Sequence, residues 1–214
     1  MQLAVIAKEP VPGRVKTRLC PPYSPEQAAR LATAALVDTL HCVRATSAAR
    51  HVLVLDGEPG DWLPPGFDVV AQRGSGLGER LAAAFSDLTR TCPEPVVLVG
   101  MDTPQLTPTQ LTGAGALLAT TDRRAVLGPA QDGGYWLVGL SRPDTRAFEG
   151  VPMSQPHTGR RQAHQLVRCG YDLRVIDELC DIDTAADAAS VADTAPGTGF
   201  AAVMRDLAAA GACR

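Results

Sequence analysis

Pro95 to Pro104, PVVLVGMDTP, is the stretch whose reading decides the fold. Val96, Val97, Leu98 and Val99, followed by Gly100, form an unbroken apolar run. Such a run reads as a strand buried on both faces, as central strands of parallel sheets are. It ends at Met101-Asp102-Thr103-Pro104, where proline has no N–H to continue a ladder. A carboxylate just past the carboxyl end of a central strand stands where open α/β sheets hold their ligands. The alternative makes Asp102 a cap for the helix expected from Thr107 or Pro108, yet Thr107 and Thr109 are better placed for that task.

Outward from this strand, strand and helix patterns alternate. Gln2 to Ala7 (QLAVIA) reads as a strand, and Ser24-Pro25-Glu26-Gln27 as a helix start with a capping box, the helix running to about Ala45. Strands are expected at His51–Leu55, Phe67–Ala71, Ala125–Gly128, Tyr135–Leu140 and Leu173–Ile176. Helices are expected at Glu79–Thr89, Thr107–Ala119 and His157–Cys169, then in two Ala-rich stretches after Asp183 and Gly199. Too few residues precede Tyr135 for a crossover helix, so an antiparallel piece belongs there. The alternation predicts an α/β layered fold with a mostly parallel sheet. No repeat or low-complexity linker divides residues 1–214, which read as one domain.

Composition narrows the function classes. At 45% hydrophobic and 20% charged residues the chain is an ordinary globular sequence. A net charge of −3 and an aromatic share of 4% argue against a nucleic-acid partner. No run is long enough to span a membrane, and Lys8 and Glu9 interrupt the early apolar run, so no signal peptide is read and a cytoplasmic location is expected. Cys20, Cys42, Cys92, Cys169, Cys180 and Cys213 are scattered, without a C-x-x-C pair, and read as free thiols.

Four stretches carry candidate chemistry. The loop after the first strand holds Lys8, Arg14, Lys16 and Arg18 against a single Glu9, shaped by Pro10, Pro12 and Gly13. Clustered cations on such a loop suit a polyphosphate, although a solvated basic loop is the plainer alternative. Only Gly13 is present where a Walker A loop needs two glycines. Gln72-Arg73-Gly74-Ser75-Gly76-Leu77-Gly78 opens a helix and offers backbone N–H groups, with Gln72 and Gly76 as candidate nucleotide contacts. A strand-to-helix turn accounts for the same residues. Asp132-Gly133-Gly134-Tyr135 permits close ligand approach, or is a hairpin with Asp-Gly turn chemistry. In Cys180-Asp181-Ile182-Asp183-Thr184 the two carboxylates alternate about Ile182 and share one side if the segment is extended. Asp183 is a candidate ligand for magnesium or manganese and equally a candidate cap for the following helix.

Together, AKEPVPGRVKTRL, QRGSGLGERL, LVGMDTP, GPAQDGGYWLVGL and DIDTAAD, in that order, resemble the radical-SAM/selenodomain-associated GT-A-like transferase family of the nucleotide-diphospho-sugar transferase superfamily. The resemblance covers most of the chain. It implies a single Rossmann-like GT-A domain binding a nucleotide at the carboxyl ends of its first strands. By it, Lys8, Gly13, Arg14, Lys16 and Arg18 hold donor phosphates, Asp102 is the metal-binding aspartate and Asp183 a second acidic ligand. The Asp132 turn, with Gly133, Gly134 and Tyr135, faces the acceptor. Two departures stand out. Glycosyltransferases of this fold usually carry Asp-x-Asp, whereas Gly100 stands two before Asp102. One aspartate after the central strand and another far along the chain is closer to nucleotidylyltransferases such as 2-phospholactate guanylyltransferase. The family's frequent Trp-Ser-Thr segment is Met153-Ser154-Gln155 here.

The expectation is a magnesium- or manganese-dependent transferase. Its leading form moves a glycosyl group from a nucleotide sugar to a small-molecule acceptor, with Asp132 as the base. The first alternative joins a nucleoside triphosphate to a phosphorylated acceptor with release of pyrophosphate. The second is a nucleotide-binding protein without catalysis. Oligomeric state, base, sugar and acceptor are not written in these motifs.

Overall fold

A computed structural model describes residues 1–212. Seven strands form one sheet: β1 (Gln2–Lys8), β2 (Arg50–Asp56), β3 (Asp68–Ala71), β4 (Val96–Val99), β5 (Arg124–Pro129), β6 (Tyr135–Leu140) and β7 (Asp172–Val175). Their order is β3-β2-β1-β4-β6-β5-β7. All pairings are parallel except those of β6, which runs antiparallel to both β4 and β5. The five residues between β5 and β6 make a hairpin, the expected antiparallel piece.

Side-chain alternation explains why β4 is central. Val97 and Val99 enter one core, with Leu3, Val5, Leu53 and Leu55 of the neighbouring strands. That core is closed by α1 (Pro25–Ala45) through Leu36 and Leu40, and by α3 (Pro108–Leu118) through Leu111 and Leu118. Val96 and Leu98 enter the opposite core, under Leu81, Phe85 and Leu88 of α2 (Leu77–Thr91) and Leu166 of α4 (Thr158–Arg168). The sheet is therefore covered by helices on both faces, in a Rossmann-like, GT-A-like layering.

A third core lies outside α1. There α5 (Ala185–Thr194) and α6 (Gly199–Ala212) pack Ala188, Val191 and Phe200 against Ala28, Leu31 and Ala35, with Ile182 at the entry to α5. Local signals set the helix starts. Ser24 and Thr107 each make a complete capping box, with Gln27 and Gln110. The cap of α5 is Thr184, paired with Asp187, and not Asp183. The hydroxyl of Thr184 accepts the Asp187 amide, which leaves the Asp183 carboxylate free for other partners.

Among the described residues no helix is long and apolar enough to cross a membrane. Cys20, Cys42, Cys92, Cys169 and Cys180 are free thiols, and Cys213 lies outside the described residues.

Candidate active site

The chain moves outward from β1 to β2 and β3, then returns to β4 on the other side of β1. Such a reversal opens a crevice at the carboxyl ends of the strands. The loop after β1 and the loop after β4 meet in it. In the first, Gly13 and Lys16 take positive φ, 75° and 50°. Glycine does so freely, whereas for lysine the left-handed conformation costs about 1–2 kcal/mol.

That conformation turns the Lys16 side chain inward, where it is 9% exposed. Its Nζ lies 2.8 Å from Asp102 Oδ2 and 3.7 Å from Asp183 Oδ1, and it donates to the Ile182 carbonyl. Arg18 Nη1 is 2.8 Å from Asp183 Oδ2. Lys8 and Arg14 are exposed and make no ion pair among the described residues. The basic loop is thus divided: two cations lie against carboxylates, and two face outward.

The carboxylates arrive from three loops. Asp102 follows β4, and its backbone carbonyl accepts the Ile182 amide at 3.1 Å. Gln105, three residues on, donates from Nε2 to the Cys180 carbonyl and clamps the two segments together. Ile182 is 1% exposed in the third core, so Asp181 and Asp183 are turned back towards the crevice. Asp132, Asp181 and Asp183 each offer one oxygen, all within 4.8 Å of one another. Burial, with the Asp132 and Asp183 carboxylates adding to it, pushes the Asp181 carboxyl up to about 6. Asp181 is absent from the sequence-derived metal candidates, although its alternation with Asp183 about a buried isoleucine was the signal for it.

This donor set suits a divalent ion. Carboxylate oxygens are hard ligands of the kind magnesium and manganese take. Asp102 contributes a further hint, because its Oδ1 is buried without a hydrogen-bond partner. An orphaned buried acceptor of that kind calls for an explanation in a ligand, ion or water.

Several of the other expected site residues also make contacts within the fold. Gln72 donates from Nε2 to the carbonyls of Ala7 (2.7 Å) and Val54 (3.1 Å), and its Oε1 accepts from Arg80. Gly76 is the residue before α2 and has open space at its Cα. Asp132 Oδ1 accepts the Gly134 amide at 2.6 Å, and Ala130 and Gly134 close the hairpin. A Cβ on Gly133 would meet the Pro156 carbonyl oxygen at 2.0 Å, and one on Gly159 the Gly134 oxygen at 2.4 Å. The glycine pair therefore admits the protein's own backbone at the start of α4, fastened by Gly159 N–H to Gly133 carbonyl at 2.8 Å. The Tyr135 hydroxyl lies 3.2 Å from Gln162 Oε1, and burial pushes its pKa up. Beside this turn a groove of about 260 Å³ is lined by Gly133, Gly134, His157, Arg160 and Glu178.

Comparisons with known proteins agree with this architecture. A model of a family described as "uncharacterized protein conserved in bacteria" (DUF2064) matches residues 28–155. No curated protein matches the chain. Among solved structures, a candidate nucleotide-diphospho-sugar transferase from Desulfovibrio desulfuricans G20 is 25% identical with a TM-score of 0.88. That alignment covers 97% of this chain and 95% of the other. Rv0371c of Mycobacterium tuberculosis H37Rv, solved in complex with manganese, is 21% identical with a TM-score of 0.52, covering 90% and 97%. A CMP:2-keto-3-deoxy-manno-octonic acid synthetase solved with CTP is 12% identical with a TM-score of 0.54, covering 88% and 95%. The fold is accordingly the GT-A-like one shared by nucleotide-diphospho-sugar transferases and nucleotidylyltransferases. The likeness extends to that level and not to a radical-SAM-linked subgroup.

Proposed function

From the premise that the chain belongs to the DUF2064 family of uncharacterized bacterial proteins, we propose that it is a divalent-metal-dependent nucleotidylyltransferase. It joins a nucleoside triphosphate to a phosphorylated small molecule and releases pyrophosphate. The observation that carries this reading is the distribution of carboxylates. Asp102 has Gly100 where an Asp-x-Asp pair would place its partner, and it shares the Lys16 ammonium instead with Asp183, from a segment beyond β7. The manganese complex of Rv0371c and the CTP complex of the synthetase support the same reading.

In this mechanism Lys8 and Arg14, exposed and without an ion pair among the described residues, receive the triphosphate as it enters from solvent. Asp102 and Asp183, with Asp181 and Asp132 beside them, hold the ion. A divalent ion held there would supply neutralisation of the charge that builds on the departing pyrophosphate. The acceptor phosphate oxygen attacks the α-phosphorus, and the bond to the pyrophosphate oxygen breaks. A phosphate nucleophile is already ionised at neutral pH, so no protein base is required. What the chain supplies is alignment of the two phosphates and exclusion of water between them.

Glycosyl transfer is the second reading, favoured by the exposed Asp132 carboxylate at the hairpin and by the name of the Desulfovibrio relative. One experiment separates the two. The protein is incubated with manganese and each nucleoside triphosphate, plus a panel of sugar phosphates and phosphorylated hydroxy acids, while pyrophosphate is measured. In parallel it receives nucleotide sugars while nucleoside diphosphate is measured. Pyrophosphate release that depends on the acceptor is the expected result. Nucleoside diphosphate release from a sugar donor, without pyrophosphate from any triphosphate, would establish glycosyl transfer instead. Binding without turnover of any donor would leave a nucleotide-binding protein.

A further inference from the structure

We infer that Lys16 is a resident counter-ion of the carboxylate crevice, and that it competes with a divalent ion for Asp102. This rests on the reading above that these carboxylates hold a metal. It adds that the basic loop and the metal site share one side chain.

Three observations meet at this residue. The first is burial of charge. A lysine side chain 9% exposed is costly to keep ionised unless its protons are matched. Here the Ile182 carbonyl accepts a hydrogen bond from it, and the Asp102 and Asp183 carboxylates stand at 2.8 and 3.7 Å as opposite charges. The second is backbone. Lys16 is one of two non-glycine residues at positive φ among the described residues, and its 50° is the geometry that carries the side chain inward. Strain retained at a residue with a specific electrostatic partner is a recognised sign of a functional constraint. The third is incomplete satisfaction. Lys16 engages Asp102 through Oδ2 alone, and Oδ1 remains buried without a partner. Thr103 Oγ1 and Gln105 Oε1, from the same loop, are also buried and unpaired. Lysine thus meets part of the charge of the site while leaving one Asp102 oxygen unsatisfied.

Competition between cations follows from this placement. An ammonium on Asp102 Oδ2 competes with a metal for that oxygen, and it repels a divalent ion held by the neighbouring Oδ1. Metal binding alone therefore sets the ion and the Lys16 ammonium in competition for the same carboxylates. A bound triphosphate changes the balance, since its oxygens give the ammonium a new partner on the neighbouring stretch of the same loop. Each ligand then favours the state the other needs, and by linkage the gain is mutual. Arg18 provides an internal contrast. It also pairs with Asp183, but its side chain is 71% exposed and it makes no ion pair with Asp102.

The test uses manganese as the probe, followed by electron paramagnetic resonance or calorimetry. It is run with and without α,β-methylene triphosphate analogues, which bind but cannot react. Lys16→Asn removes the charge with a residue that tolerates left-handed backbone. Lys16→Gly is the second variant, compatible with the same φ should the first fold poorly. The expected result is manganese binding at least about tenfold tighter in Lys16→Asn than in the unmodified protein without nucleotide. The enhancement by nucleotide should shrink correspondingly, within the five- to 150-fold span of typical coupling. Arg18→Gln should change manganese affinity much less. Equal or weaker manganese binding in both Lys16 variants overturns the inference, because a purely structural lysine would loosen the site when lost. An equally large gain in Arg18→Gln also overturns it, in favour of net charge alone. Failure of every protein to bind manganese, with or without the analogues, removes the metal reading beneath it.

Discussion

Asp181 gives a prediction whose magnitude follows from its surroundings. Its carboxyl ordinarily titrates at 3.8, and in the folded protein burial and the Asp132 and Asp183 carboxylates raise it to about 6. Folding therefore favours the protonated form. The associated stability is fully present below about pH 4, where both states are protonated, and is lost as pH rises through about 6. Roughly two pH units separate the two values, worth about 3 kcal/mol at 1.36 kcal/mol each. Partial solvent access lowers this to about 2–3 kcal/mol. Asp181→Asn keeps the shape and removes the titration, so the metal-free variant should be about 2–3 kcal/mol more stable at pH 7.5 and unchanged near pH 4. Urea denaturation of both proteins at the two pH values, with a chelator present, measures this directly. Added manganese should stabilise the parent protein and have less effect on the variant. A stability difference independent of pH would falsify the electrostatic account of the cluster and reduce Asp181 to an ordinary surface carboxylate.

Two further substitutions probe the frame of the fold. Gly133→Ala places a methyl group against the Pro156 carbonyl at φ 87°, which should cost at least about 2 kcal/mol in urea and weaken manganese binding through Asp132; an unmoved denaturation midpoint would refute the packing argument. Asp87 lies under Arg73 and Arg90, at 2.7 and 2.9 Å. Burial works to raise its pKa, but the two guanidiniums outweigh it and the net shift is downward. Its contribution is present above the unfolded value and lost as pH falls through the folded one, so Asp87→Asn should cost about 1.5–3 kcal/mol at pH 7 and progressively less as pH falls below 3.8. A cost that does not fall as pH is lowered would assign the effect to packing.

The sheet and its helices were legible because their signals are local. The Val96–Val99 run, the capping residues Ser24 and Thr107, and the short gap before Tyr135 each act within a few residues. Cap ownership at α5 was ambiguous, since Asp183 and Thr184 both suit the position, and only the Asp187 contact decides between them. The crevice was legible in part. Position after a strand end singled out Asp102, and alternation about Ile182 was visible before its purpose was. Which way Lys16 points was not, because that depends on a left-handed backbone and on acceptors up to 166 residues away. The Gly133-Gly134 pair was ambiguous for another reason: a glycine reserves space, and the sequence does not say whether ligand or backbone occupies it.

Order of synthesis gives the Ile182 plug a consequence of its own. A nascent chain emerges with its earlier residues first, and domains can begin to fold before the rest is made. The three strands nearest the amino terminus and the Lys16 loop precede residue 72, while Asp181 and Asp183 are anchored only when Ile182, Val191 and Phe200 pack outside α1. The residues matched by the family model, 28–155, include Asp102 but not Lys16, Asp181 or Asp183. A partly made protein can thus possess most of its sheet and still lack a competent centre. The carboxylate crevice is complete only after that last layer has closed.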